Sequence, residues 1–74
     1  MVTRKPVLLV VVPCYNEAEV LRQTTERLLA VLGEMRDADG RILYVDDGSR
    51  DATWDMIKRL HAQNSRVLGI SLAH

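Results

Sequence analysis

Ile42-Leu43-Tyr44-Val45-Asp46-Asp47-Gly48-Ser49 decides how this chain is read: an apolar, β-favouring run ends abruptly in two carboxylates, a glycine and a hydroxyl. Residues 42–45 fit a short strand buried on both faces. Side chains alternate along a strand, so Asp46 and Asp47 are expected to point opposite ways, one toward packed helices and the other toward a ligand. Gly48 permits a positive φ and lets the chain turn away. Acids at the carboxyl end of a buried strand stand where open α/β sheets meet their ligands. The plainer alternative is a strand-to-helix turn with helix-capping acids.

Working outward, residues 7–12 (Val-Leu-Leu-Val-Val-Val) are apolar at every position, as in a parallel strand covered by helices. Pro13 is expected to end that strand, since it has no N–H for a ladder. Asn16 reads as an N-cap, with Glu19 completing a capping-box pattern. A helix over 17–32 follows, its apolar stripe made by Leu21, Thr25, Leu28, Leu29 and Leu32, and Gly33 with the polar run 36–40 is expected to stop it. Downstream of the central strand (41–45), Asp51 reads as the cap of a second helix over 52–63, with Met56, Ile57 and Leu60 inward. Asn64 and Ser65 end it, and residues 67–72 read as a third strand. The order is β-α-β-α-β, an α/β fold in one partial domain spanning 1–74, with a frayed polar start over 1–6. Right-handed crossovers in sequential order put both helices on one face of the sheet. The opposite face is left bare, so the chain is expected to be the first piece of a larger fold or to self-associate.

Composition narrows the class. The 74 residues carry ten basic and ten acidic side chains, which gives no electrostatic case for nucleic acid or an anionic membrane. Apolar residues at 47% and charged residues at 27% are ordinary for a globular domain. The single cysteine, Cys14, allows no internal disulfide, so a reducing, cytoplasmic setting is the default expectation. Arg4 and Lys5 before an apolar run resemble a signal peptide superficially, but Pro13 interrupts the run and no cleavage site follows.

In a parallel sheet the loops after the first two strands open side by side. One offers Tyr15, Asn16 and Glu17; the other offers Asp46, Asp47, Gly48 and Ser49. An aromatic ring stacks on a flat base, and a carboxylate accepts from ring N–H or ribose hydroxyls. That chemistry suits the nucleoside of a nucleotide better than its phosphates. Neither G-x-x-x-x-G-K-[ST] nor G-x-G-x-x-G occurs, which disfavours a Walker-type nucleotidase and a dinucleotide fold.

The segments Val10-Val11-Val12-Pro13-Cys14-Tyr15-Asn16-Glu17 and Tyr44-Val45-Asp46-Asp47-Gly48-Ser49-Arg50-Asp51, separated by a helix, resemble the start of family 2 glycosyltransferases. Within that family they look most like the polyprenyl-phosphate branch, which includes dolichyl-phosphate mannose synthases. The resemblance implies a Rossmann-like sheet, the N-terminal part of a nucleotide-diphospho-sugar transferase fold. It implies a UDP- or GDP-linked sugar as donor and polyprenyl phosphate, a membrane lipid, or another molecule as acceptor, at the cytoplasmic membrane face. Position by position it makes Pro13, Tyr15 and Glu17 the nucleoside-holding loop, Val45 and Asp47 the contacts to base and ribose, and Asp46 a structural partner. Cys14 stands where such proteins more often have Thr or Ser. The family's metal-binding acids, catalytic base and acceptor segment would lie past His74. A divalent cation, Mg or Mn, is therefore expected only in a full-length enzyme, and the isolated chain is expected to be inactive.

Other readings stand beside this one. A receiver-like signalling module also places acids at an α/β sheet edge, but it needs an acid pair after the first strand and an aspartate after the third. A truncated, non-catalytic gene product is the other alternative. Cys14 has no histidine placed to activate it and reads as a buried thiol. His61 and His74 read as solvated rather than as a metal pair, and Trp54 reads as packing at the rim of a core rather than as a base-stacking platform.

Overall fold

The computed structural model describes residues 4–72, so the chain ends at Met1–Thr3 and at Ala73 and His74, with the readings placed on them, lie outside the described residues. Three strands and two helices alternate: β1 Val7–Cys14, α1 Ala18–Glu34, β2 Asp39–Asp46, α2 Thr53–Gln63 and β3 Val67–Ser71. The strands form one parallel sheet in the order β1-β2-β3, with Val10 opposite Ile42 and Ile42 opposite Val67.

The strands alternate in burial as the pleat requires. One face presents Val10, Val12 and Cys14 of β1, Ile42, Tyr44 and Asp46 of β2, and Val67 of β3 to the helices. Over it lie Leu21, Thr25 and Leu32 of α1 and Thr53, Ile57 and Leu60 of α2, all buried. The four-residue steps in both helices place those side chains on one stripe. Leu28, Leu29 and Met56 are half-buried at its margins. Thr25 is more than a member of the apolar stripe. Its hydroxyl donates to the Leu21 carbonyl at 2.8 Å, so the fully buried Tyr44 phenol, 2.6 Å away, must donate to Thr25 Oγ1. The only polar group on that tyrosine is thereby satisfied at the centre of the core.

Among the described residues no helix covers the other face. Leu9, Val11, Leu43, Val45, Leu68 and Ile70 share it by strand parity, and Val11 is 56% and Ile70 46% exposed. At its amino end Arg41 donates from Nε and Nη2 to the Asp39 carboxylate at 3.2 and 3.0 Å.

Four local expectations are corrected. Pro13 does not end β1, which runs on through Cys14. The Pro6 and Cys14 carbonyls accept from the Asp39 and Asp47 N–H groups, so even-numbered residues turn their backbone toward β2. Odd-numbered Pro13 turns toward the free edge, where a missing N–H costs no ladder bond. Gly33 does not stop α1, which ends at Glu34, after which Met35 is extended. Residues 39 and 40, expected in a polar linker, begin β2, where Gly40 lies beneath Leu32: a Cβ there would sit 2.8 Å from the Leu32 Cβ. Finally, Asn16 is not the N-cap of α1. Glu17 holds that position without a side-chain cap, and Asn16 has a left-handed φ of 50°.

Candidate functional site

The two loops predicted to cooperate leave the same edge of the sheet. Pro13 is registered against Val45 and Cys14 against Asp46, and the Asp47 N–H then donates to the Cys14 carbonyl at 3.0 Å. Tyr15 and Asp47 thus depart one residue beyond a paired position. Pro13 and Val45 stand on the uncovered face, whereas Cys14 and Asp46 stand under the helices. Alternation therefore splits the acidic pair: Asp46 is 2% exposed, and Asp47 is exposed beside Tyr15 and Glu17. Gly48, with φ 70°, turns the chain out of the sheet as its missing Cβ allows.

Asp46 is satisfied within its own loop. Its Oδ1 accepts from the Ser49 N–H at 3.2 Å and from the Ser49 hydroxyl. The same hydroxyl oxygen accepts the Asn16 N–H at 2.8 Å, and Asn16 Oδ1 accepts the Arg50 N–H at 2.8 Å. A second relay lies behind the first. Thr53 is fully buried; its hydroxyl donates to Asp51 Oδ1 and accepts the Glu17 N–H at 2.9 Å. Asp51 also accepts the Thr53 N–H at 2.9 Å and, through Oδ2, the Ala18 N–H at 3.4 Å. Ala52, not Asp51 as expected, holds the N-cap position of α2, yet the Asp51 carboxylate accepts the first N–H of both helices. The Thr53 hydroxyl, chiefly, holds that carboxyl below the ordinary carboxylate range.

Sequence reasoning missed Thr53, Asn16 and Ser49 as the members that join the two turns. Their partners lie 33 to 36 residues away, which no local spacing reveals. The available signal was the hydroxyl at position 53, two residues after a capping acid and on the buried side of a helix.

Cys14 is buried under the helices, on the face of the sheet opposite Pro13 and Val45. Burial first, then the Glu17 and Asp46 carboxylates, push its thiol from an ordinary 9.0 up to about 11. A raised folded-state value favours the neutral thiol: its contribution to stability is complete below 9.0 and is lost as pH rises through about 11. At about pH 8 the native thiolate fraction is then about 100-fold below that of the unfolded chain, and iodoacetamide should alkylate native Cys14 at least that much more slowly. Alkylation at the rate of a free peptide thiol would contradict the burial. The burial and the raised value suit a packed, neutral thiol.

His61 is exposed, but its Nδ1–H donates to the Val67 carbonyl at 2.6 Å, tying α2 to the start of β3. Trp54 is half-buried beside Ile57 and Gly69 at the rim of the core. At the opposite end of the sheet Arg4, Lys5, Arg36 and Arg66, with Asp39, line a hollow of about 560 Å³. Arg36 and Arg66 follow the carboxyl ends of the two helices there, where cations are favoured. Among the described residues no three His, Cys, Asp or Glu side chains converge to hold a metal ion. No helix among the described residues is long and apolar enough to cross a membrane.

The family model described as glycosyl transferase family 2 matches residues 9–74. The chain belongs to glycosyl transferase family 2. It is 42% identical over 74 residues to YkoT of Bacillus subtilis, an uncharacterized glycosyltransferase, covering 93% of this chain and 22% of that protein. It is 35% identical over 60 residues to the succinoglycan biosynthesis protein ExoA of Rhizobium meliloti, covering 81% of this chain and 17% of that one. The fold matches a mannosyltransferase from Pyrobaculum calidifontis, solved in complex with GDP-Man and Mn2+, with a TM-score of 0.69 at 24% identity over 95% of this chain and 20% of that one. The chain thus spans about a fifth of the length of these proteins. The receiver-like alternative finds no support among them.

Proposed function

We propose that this segment holds the nucleoside of a UDP- or GDP-linked sugar donor, and that the longer protein transfers the sugar to polyprenyl phosphate or another acceptor, at the cytoplasmic membrane face. The observation that carries the donor reading is the side-by-side departure of Tyr15 and Asp47 from paired strands, with Glu17 on the same loop. Tyr15, 53% exposed, offers a stacking face; Asp47 and Glu17 accept from ribose hydroxyls or ring N–H groups. Pro13 and Val45 form the apolar floor between them. Family membership supports sugar transfer, and the resemblance of the two loops to polyprenyl-phosphate enzymes supports the acceptor. A divalent cation, in the longer protein, would be held by residues outside this segment.

Titration of the chain with GDP and with UDP, each with and without Mn2+, tests the donor site. Saturable binding that shifts the Tyr15 and Asp47 amide signals supports it. Labelling of an aspartate by acetyl phosphate, with no nucleotide binding, supports a receiver-like module instead.

The bare sheet face carries the second part of the proposal, association of the isolated chain with a second copy through Leu9, Val11, Leu43 and Ile70. Burying such a face stabilises the pair by roughly 25 cal/mol for each Å2 of apolar surface removed from water. Sedimentation should show a concentration-dependent dimer that Val11→Lys dissociates. A monodisperse monomer that binds no hydrophobic dye contradicts it.

A further inference from the structure

We propose that Asn16 and Thr53 are positioning residues of the nucleoside edge, acting through the backbone of the Tyr15–Glu17 loop; this rests on the donor-site reading above. Neither belongs to the set assigned to the nucleoside. Each instead ties the aromatic loop to the acidic loop at a different point.

The Asn16 tie runs both ways. Its N–H donates to Ser49 Oγ at 2.8 Å and its side-chain oxygen accepts from Arg50 N–H at 2.8 Å. Because the Ser49 hydroxyl donates to the buried Asp46, the position of Asn16 is referred back to β2. The left-handed φ of 50° is what aims both groups of Asn16 at the same facing loop, and asparagine tolerates that conformation better than most residues. The Thr53 tie fixes the next residue. Thr53 Oγ1 accepts the Glu17 N–H at 2.9 Å, and Asp51 takes the Ala18 N–H behind it. With Tyr15 anchored on one side by the paired Cys14 and on the other by Asn16 and Glu17, the ring starts from a fixed backbone. A ligand gripped between two loops then meets them already spaced, so ordering them costs it little.

The chain itself, with GDP and UDP as probes, tests this through two paired substitutions. Asn16→Gly keeps the left-handed backbone but deletes the acceptor, whereas Asn16→Asp keeps both. Thr53→Val keeps the shape but deletes the relay, whereas Thr53→Ser keeps it. Well below the melting temperature, Asn16→Gly and Thr53→Val should each weaken nucleotide binding about tenfold, the first speeding hydrogen exchange at the Arg50 amide and the second at the Glu17 amide. Asn16→Asp and Thr53→Ser should remain within about twofold of the unsubstituted chain. If the deleting variants bind as tightly as the unsubstituted chain and differ only in melting temperature, the ties are structural and the positioning role is overturned. Should Thr53→Val fail to fold, the exposed Asn16 pair decides the matter alone. Absence of GDP and UDP binding by the unsubstituted chain overturns the donor-site reading instead, an outcome distinct from binding that the variants leave unmoved.

Discussion

Replacing Asp47 with alanine is expected to weaken GDP or UDP binding by roughly 10- to 100-fold, since a hydrogen bond to a charged group contributes about 1.5–3 kcal/mol and 1.4 kcal/mol is tenfold in affinity. Asp47 is exposed at the carboxyl edge of β2, so the substitution should be read first in affinity. The neighbouring acid should behave in the opposite way. Asp46 is buried and holds Ser49 by two bonds, so Asp46→Ala should cost stability first and affinity only as a consequence. The two adjacent carboxylates thus have separable signatures, one in a binding isotherm and one in a melting curve. Equal effects of both substitutions on melting, with no loss of binding in either, would contradict the division of labour.

The second large effect concerns the seam between α2 and β3. A Cβ added at Gly69 would overlap the Ile57 methyl group and lie 3.2 Å from the Trp54 ring. Ile57 is 1% exposed and packed on all sides, so relief requires α2 to lift from the sheet. Gly69→Ala should therefore destabilise by about 2–3 kcal/mol, which for a domain of this size lowers the melting temperature by roughly 10 °C or more. Gly33 provides the control. It lies in α1, a Cβ there would meet nothing within 4 Å, and Gly33→Ala should stabilise by about 0.5 kcal/mol through helix propensity. A calorimetric melt of both variants checks the pair; a neutral Gly69→Ala would mean that the helix is loosely seated.

Much of this fold was legible because the strands declare themselves. Runs apolar at every position specify parallel strands, and the residues at four- and seven-residue spacing that face them are Leu21, Thr25 and Leu32. The bare sheet face also followed from sequential strand order and the handedness of crossovers. What escaped was decided by contacts distant in sequence or by position in the sheet. Pro13 is tolerated because β1 lies at an edge of the β1-β2-β3 order, a fact of topology and not of residues 7–14. Asn16 matched a capping pattern with Glu19 letter for letter, yet its bonds to Ser49 and Arg50 on the facing loop set its backbone. Thr25 counted as apolar because the phenol that needed it comes from Tyr44 on another element. Of the nucleoside edge, the sequence displayed the carboxylates and the tyrosine, but not the hydroxyl relays that hold the two loops together.

The central claim is that one nucleoside is gripped at once by the turn after β1 and the turn after β2. Intermolecular nuclear Overhauser contacts in a chain saturated with GDP or UDP test it most directly. The account predicts contacts from nucleotide protons to the Tyr15 ring and to the Gly48 and Asp47 backbone in the same complex. Contacts confined to the basic hollow around Arg4, Arg36 and Arg66, at the far end of the sheet, would contradict it.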